Sequence, residues 1–155
     1  MAGQIAARLA ELGIVLPIPA SPVANYVPYV VSGNLVVISG QIPMRDGKVA
    51  YTGKVTVEID AETAAVAAQL CFINVLAQLR AACDGDLDRV QRVVRLGGFI
   101  AAPSSFTGHA GIMNGASDMA VAVFGDRGRH ARSTIGVPSL PMDAAVEVEG
   151  MFQIG

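Results

Sequence analysis

Apolar and polar side chains alternate from Ala145 to Ile154, which is the period of a strand with one buried face. The run from Leu35 to Ser39 is continuously apolar and predicts a strand covered by helices on one face and by a partner on the other. Shorter apolar runs predict the remaining strands. These are Tyr26–Val31, Val49–Tyr51, Val90–Ala101 and Arg132–Val137.

Three segments have the composition or the periodicity of helices. An alanine-rich segment over residues 61–83, preceded by Asp60 as an N-cap, predicts a long helix. The positions expected to form its buried face are Val66, Leu70, Ile73 and Ala77. A second helix is predicted over residues 106–124, although glycines weaken it, and residues 1–17 predict a short amphipathic helix.

The predicted order is βββαβαββ after the N-terminal helix. No repeat and no change in composition divides the chain. Residues 1–155 are therefore expected to form one domain, with residues 1–17 as a helical extension. This order favours an α+β sandwich in which two helices cover one face of a mixed sheet.

The last two predicted strands contain charged residues with a possible chemical role. Prolines flank Ser139-Leu140, so these strands are predicted to form a hairpin around that turn. Symmetric pairing would place Arg132 opposite Glu147, with Glu149 two residues further along. A cross-strand ion pair is the default interpretation. The alternative is that the guanidinium and the carboxylate share one small ligand.

The composition is unusually apolar, with 52% hydrophobic and 15% charged residues among 155. No run approaches the roughly 18–20 uninterrupted apolar residues of a membrane span. The surplus apolar surface therefore indicates a subunit interface and not a membrane. The N-terminus lacks the segments of a signal peptide, so a cytoplasmic location is expected.

A net charge of -2 excludes a general attraction to nucleic acid. One short basic cluster near the C-terminus could bind phosphate or RNA. It consists of Arg127, Arg129, His130 and Arg132. Aromatic residues make up only 5% of the chain and no RNA-binding motif is present, so a nucleic-acid partner is not expected.

The cysteines and histidines do not predict a metal site. Cys71 and Cys83 lie too far apart along one predicted helix for a disulfide, and packing is the expected role of both. His109 and His130 lack the spacing of a metal-binding pair and are expected to be capping or surface residues.

Three motifs in order carry a family resemblance over about residues 25–153. They are Arg132-Ser133 with Leu140-Pro141 and Val146-Glu147-Val148-Glu149; Ser39-Gly40-Gln41-Ile42-Pro43; and Asn74-Val75 with Asp88-Arg89-Val90. Together they resemble the reactive intermediate deaminase (Rid) family, also called the YjgF or L-PSP family. The resemblance implies a chorismate-mutase-like fold and a homotrimer with three clefts between subunits.

The resemblance also implies roles for single residues. Arg132 would bind the carboxylate of a small imino acid, and Glu147 would hold the attacking water. The positions that match substrate-lining residues are Tyr26, Ser39, Gly40, Asn114 and Thr134. Thr134 stands where many members have cysteine, which argues against thiol-based modification. The N-terminus and residues 106–130 are longer than usual, which indicates a longer-chain branch.

The expected function is hydrolysis of small enamine or imine intermediates, of the 2-aminoacrylate type, to a 2-oxo acid and ammonia. This would be a 2-iminobutanoate/2-iminopropanoate deaminase-type reaction that needs no metal or organic cofactor. A second hypothesis is a non-catalytic protein that binds a 2-oxo or amino acid in the same cleft. RNA cleavage is a third hypothesis, which predicts activity that falls steeply with salt.

Overall fold

The computed structural model describes residues 3–19, 21 and 24–155 as a sheet with two long helices on one face. The strands are β1 (Tyr29–Ser32), β2 (Leu35–Gln41), β3 (Met44–Arg45), β4 (Lys48–Val49), β5 (Val90–Ala101), β6 (Ala131–Val137) and β7 (Val146–Ile154). The helices are α1 (Gln4–Glu11), α2 (Ala61–Ala82) and α3 (His109–Phe124). The predicted α+β class is confirmed.

The main sheet has five strands in the order β1-β2-β7-β5-β6. β5 and β6 are parallel and the other neighbours are antiparallel, so the sheet is mixed, as predicted. The predicted third strand, Val49–Tyr51, is wrong in its bounds. β3 and β4 instead form a separate small hairpin around Asp46-Gly47, whose φ angles of 52° and 77° close a tight turn.

The predicted C-terminal hairpin is also wrong, because β6 and β7 are not paired. β5 lies between them and pairs with β6 on one edge and with β7 on the other. Pro138 and Pro141 remove backbone donors from the connection, and Met142 and Asp143 follow with positive φ angles of 56° and 58°. Residues 138–145 therefore cross over the end of β5 instead of turning back beside β6.

α2 supplies most of the core on the helix side of the sheet. Asp60 accepts a hydrogen bond from the Thr63 amide at 2.7 Å and begins the helix as predicted. Its core residues are Ala64, Ala67, Ala68, Cys71, Phe72, Val75, Leu76 and Leu79. The predicted face is only partly right, since Val66 is 43% exposed. The helix is apolar around most of its circumference, so periodicity could not single out the core face.

The same apolar composition gives α2 the length and hydropathy of a membrane-crossing helix, judged on the described residues. However, 67% of its most apolar window is buried inside the protein. Burial against the sheet and α3 accounts for its hydrophobicity. Cys71 and Cys83, both buried and unbridged, have the packing role that was predicted for them.

α1 is held at the end of the sheet through its N-terminus. The amides of Gln4 and Ile5 each donate to the Asp88 carboxylate at 2.8 Å, so Asp88 caps the helix from a distant part of the chain. The helix is shorter than the predicted residues 1–17, of which 1 and 2 lie outside the described part. Residues 20, 22 and 23 of the predicted proline-rich connector also lie outside it.

α3 crosses α2 at Gly115, where the two backbones touch. A Cβ atom at position 115 would overlap the carbonyl oxygen of Ala65. By contrast, a Cβ atom at Gly111, one turn earlier on α3, would have open space around it. The glycines that weaken α3 in isolation thus have different consequences in the fold.

We therefore expect Gly115→Ala to destabilise the protein by about 1–3 kcal/mol, because the backbones must separate to admit a methyl group. Gly111→Ala should instead stabilise it by up to about 1 kcal/mol through helix propensity. Urea unfolding of both variants tests this pair. Equal effects of the same sign would contradict the close approach at position 115.

Candidate functional site

Arg132 lies on the edge strand β6, and its side chain is held by one face of α3. Its Nη1 atom donates to Asn114 Oδ1 at 2.8 Å and to Ser117 Oγ at 3.1 Å, and Nη2 donates to the Ala110 carbonyl at 3.4 Å. These acceptors lie one helical turn apart. No carboxylate in the described part of the chain forms an ion pair with Arg132. The expected ion pair with Glu147 or Glu149 is therefore absent.

Ser117 and His130 extend this hydrogen-bonded group. Ser117 Oγ lies 2.9 Å from His130 Nε2, and His130 Nδ1 lies 2.6 Å from the Gly128 carbonyl oxygen. His130 is thus half-buried and bonded on both ring nitrogens, which corrects the expectation of a capping or surface residue. The spacing of these residues in the sequence is a signal that could have suggested part of the cluster. Asn114 and Ser117 lie one helical turn apart, and His130 and Arg132 are two residues apart, so each pair would share one side of its helix or strand.

Thr134 follows Arg132 on the helix side of β6 and pairs in register with Gly98 of β5. Its hydroxyl oxygen is buried and has no hydrogen-bond partner among the described residues. A buried hydroxyl without a partner is costly, and Thr134 does not line the pocket beside Arg132. We call Arg132, Asn114, Ser117, His130 and Thr134 the arginine half-site.

A shallow pocket of about 280 Å³ opens beside the arginine half-site. Its lining includes Asn114, Ser117, His130, Arg132, Asp118 and Arg129. A larger groove of about 1090 Å³ lies between α2, α3 and residues 12–18, but it contains none of the residues that were predicted to form the site. The smaller pocket is therefore the candidate site, because the polar groups converge there.

Glu147 lies on β7 between the buried residues Val146 and Val148, so it projects from the sheet face opposite the helices. Gly40 of β2 lies directly against it, and a Cβ atom at position 40 would overlap the carboxylate oxygen Oε1. A bulge between Ile38 and Gln41 places Ser39 and Gly40 at this point of the sheet.

Ser39 holds the loop at residues 27–28 beside Gly40 through two hydrogen bonds. Its hydroxyl donates to the Val27 carbonyl at 2.8 Å, and its amide donates to the Pro28 carbonyl at 2.9 Å. Tyr26 precedes that loop and is 52% exposed. We call Glu147, Gly40, Ser39 and Tyr26 the glutamate half-site.

The environment of Glu147 favours its neutral form. Burial raises the pKa of the Glu147 carboxyl above its ordinary value of 4.5, and the negative charge of Glu149 raises it further. Glu149 itself pairs with Arg95 at 3.5 Å on the same face. Glu149 therefore has a structural partner, whereas Glu147 has no ion pair with any residue that the structure describes.

The two half-sites lie on opposite faces of the sheet. The partners of Arg132 are on α3, whereas Glu147 projects from the face without helices. β5 separates their strands, which puts the strand axes roughly 10 Å apart. One chain cannot bring both groups onto one small molecule. The predicted site residues thus form two clusters, and not the single hairpin site that was expected.

The fold and the site together define a class of protein. It is an α+β domain with helices on one sheet face, an arginine held against those helices and a partly buried glutamate on the opposite face. No group of three His, Cys, Asp or Glu side chains that could hold a metal occurs within the described residues.

The chain belongs to the YjgF/L-PSP (Rid) family. The family model described as "YjgF/chorismate_mutase-like, putative endoribonuclease" matches residues 6–152. The chain is 44% identical to Protein TCP17 of Trypanosoma cruzi over 98% of this chain and 95% of that protein. The predicted family and chorismate-mutase-like fold are therefore confirmed.

Two solved structures are close in both sequence and fold. The protein Atu1372 from Agrobacterium tumefaciens, of unknown function, is 46% identical with a TM-score of 0.92, over 97% of this chain and 92% of that one. A Shewanella oneidensis protein, described as a putative endoribonuclease, is 32% identical with a TM-score of 0.94, over 98% and 100%. Both likenesses span the N-terminal extension and residues 106–130.

The raised pKa of Glu147 predicts a pH-dependent loss of stability. Above about pH 4.5 the unfolded chain releases this proton while the folded protein retains it, so stability falls as pH rises through the folded pKa. Glu147→Gln has no carboxyl group to titrate at this position, so the pH-dependent fall in stability should not occur. The variant should therefore become increasingly more stable than wild type as pH rises. Urea unfolding at several pH values measures the difference.

Glu62→Gln is the control for this experiment, because Glu62 is exposed in the first turn of α2. Because this side chain is exposed, its replacement relieves no cost of burial and should give no gain in stability. A stability difference between Glu147→Gln and wild type that does not change with pH would contradict the desolvation of Glu147.

Proposed function

We propose that the protein hydrolyses small imines or enamines of 2-amino acids, of the 2-aminoacrylate type, to a 2-oxo acid and ammonia. The reaction would take place where the arginine half-site of one copy faces the glutamate half-site of another. The observation that supports this arrangement is the separation of Arg132 and Glu147 onto opposite sheet faces. A second chain is then needed to complete the site, which fits the predicted homotrimer with clefts between subunits.

Arg132 is suited to hold the substrate carboxylate. Both N–H groups of Nη1 and one of Nη2 are engaged by α3. This leaves the Nε–H and the second N–H of Nη2 without a partner among the described residues. These two groups form a fork that matches a carboxylate, and its orientation is fixed before the ligand arrives.

Glu147 is suited to the proton transfers. Its raised pKa brings it closer to neutral pH, where a carboxyl can accept a proton from water and later return it. In the proposed reaction, the enamine first takes a proton from solvent at C3 and becomes a protonated imine. Water then adds to the imine carbon while the Glu147 carboxylate takes a proton from that water, which gives the carbinolamine. Glu147 returns this proton to the amino nitrogen, the C–N bond breaks to release ammonia, and the hydroxyl proton passes to solvent as the 2-oxo acid forms. Ser39 and Gly40 would position the imine carbon through backbone groups.

A structure of the same fold supports a small amino-acid-like ligand. Escherichia coli TdcF, solved with bound serine, has a TM-score of 0.61 at 22% identity, over 89% of this chain and 94% of that one. Serine has the carboxylate and the nitrogen of the proposed substrates. The same likeness also favours the second candidate, a protein that binds such a ligand without turning it over.

Activity should depend on the fork of Arg132. For freshly generated 2-aminoacrylate, Arg132→Ala should lower kcat/KM by about 30-fold or more, because losing a paired charge costs roughly 2–5 kcal/mol. Arg132→Lys should remain impaired, since an ammonium cannot form the fork. Coupled detection of the 2-oxo acid gives the rates.

Arg92→Ala is the matched control, because Arg92 is an exposed cation on β5 away from both half-sites. It should retain wild-type rates. Unchanged turnover by Arg132→Ala would refute the proposed site. The second candidate, a binding protein, would be established by two results together. Wild type would show no turnover, and serine would raise the thermal unfolding temperature of wild type but not that of Arg132→Ala.

Subunit mixing tests whether the site is shared between copies. Arg132→Ala and Glu147→Gln should each be strongly impaired alone. After denaturation and joint refolding in equal amounts, roughly a quarter of the sites should combine an intact Arg132 with an intact Glu147 from different chains. Recovery of about a quarter of wild-type activity is expected. Absence of any recovery, with mixed oligomers shown by native mass spectrometry, would refute the shared site.

A further inference from the structure

Ser117 and His130 form a hydrogen-bonded pair that imine hydrolysis does not require. Ser117 Oγ is 2.9 Å from His130 Nε2, and His130 Nδ1 is 2.6 Å from the Gly128 carbonyl oxygen. A carbonyl oxygen can only accept, so the proton of the neutral imidazole is on Nδ1 and Nε2 is an acceptor. The Ser117 hydroxyl therefore donates its hydrogen bond to His130.

Arg132 completes an activating environment for this hydroxyl. Its Nη1 donates to Ser117 Oγ at 3.1 Å, so a cation faces the oxygen on which negative charge would develop. Asn114, one turn earlier on α3, lines the same pocket. A nucleophile bonded to a base, with a third group orienting that base, is the arrangement that activates serine in hydrolases. Here a backbone carbonyl orients the histidine in place of a carboxylate.

We propose that Ser117 is an acyl-accepting nucleophile with His130 as its base. Its substrates would be small activated esters or thioesters whose acyl group also bears a carboxylate. The free fork of Arg132 accounts for the carboxylate, and the pocket of about 280 Å³ is small, which favours a short acyl group.

The proposed step is an ordinary acyl transfer. Ser117 Oγ forms a bond to the carbonyl carbon while its proton passes to His130 Nε2. The bond to the leaving alkoxide or thiolate breaks, and His130 returns the proton to that group. Water then attacks the serine ester in the same way, with His130 again taking and returning the proton. The carboxylic acid leaves and the Ser117 hydroxyl is restored.

The test uses the intact wild-type protein and the mono-para-nitrophenyl ester of succinic acid. We expect a burst of nitrophenolate and one succinyl group per chain, located on Ser117 by peptide mass spectrometry. Ser117→Ala should lose the adduct, and His130→Gln should form it at least about 100-fold more slowly. A neutral butyryl ester should react more slowly than the succinyl ester in wild type.

His109→Gln is the matched control. His109 packs against Phe106 and next to Gly136, away from Ser117, and its replacement should leave the acylation rate unchanged. Circular dichroism and size-exclusion chromatography must show that Ser117→Ala and His130→Gln remain folded. An adduct absent from Ser117 in wild type, or a rate unaffected by His130→Gln, would overturn the proposal. The readout involves no imine, so it is independent of the deaminase assay.

Discussion

The site depends on one constraint, the pairing of β5 along both of its edges. β5 forms a parallel ladder with β6 and an antiparallel ladder with β7. These ladders place Arg132 level with Leu96 and Glu147 level with Phe99, on strands that do not touch each other. The strand alternation then sends the two charged side chains to opposite faces. The position of β5 between β6 and β7 therefore separates the site into two half-sites.

The charged side chains on the two faces of the sheet have different partners. On the helix side, α3 holds the Arg132 guanidinium through neutral acceptors, and no carboxylate of the described residues forms an ion pair with it. On the open side, Glu149 has a cation in Arg95, while Glu147 lies partly buried against Gly40 without one. Half-buried charges without partners are unfavourable unless something else pairs with them. A ligand carboxylate bound to Arg132 would lower the unfavourable free energy of its charge, and a proton bound to Glu147 would do the same for the carboxyl group.

Ser117 and His130 show how one helix face can serve several purposes. Their hydrogen bonds join α3 to the start of β6 and also fix the position of Arg132. The geometry that anchors an arginine is thus the same geometry that makes a serine more nucleophilic.

The sequence alone determined the elements and the family. Val90–Ala101, the strand β5, was predicted with its observed bounds, and α2 and β7 to within one residue, because local periodicity and capping encode them. Only the tertiary structure decided that β5 separates β6 from β7. Strand pairing is a non-local choice, and two consecutive strands joined by a proline-containing turn predict a hairpin unless a third strand intervenes. For the same reason, sequence spacing could group Asn114 with Ser117 and His130 with Arg132, but only the packing of α3 beside β6 brought these two pairs into contact.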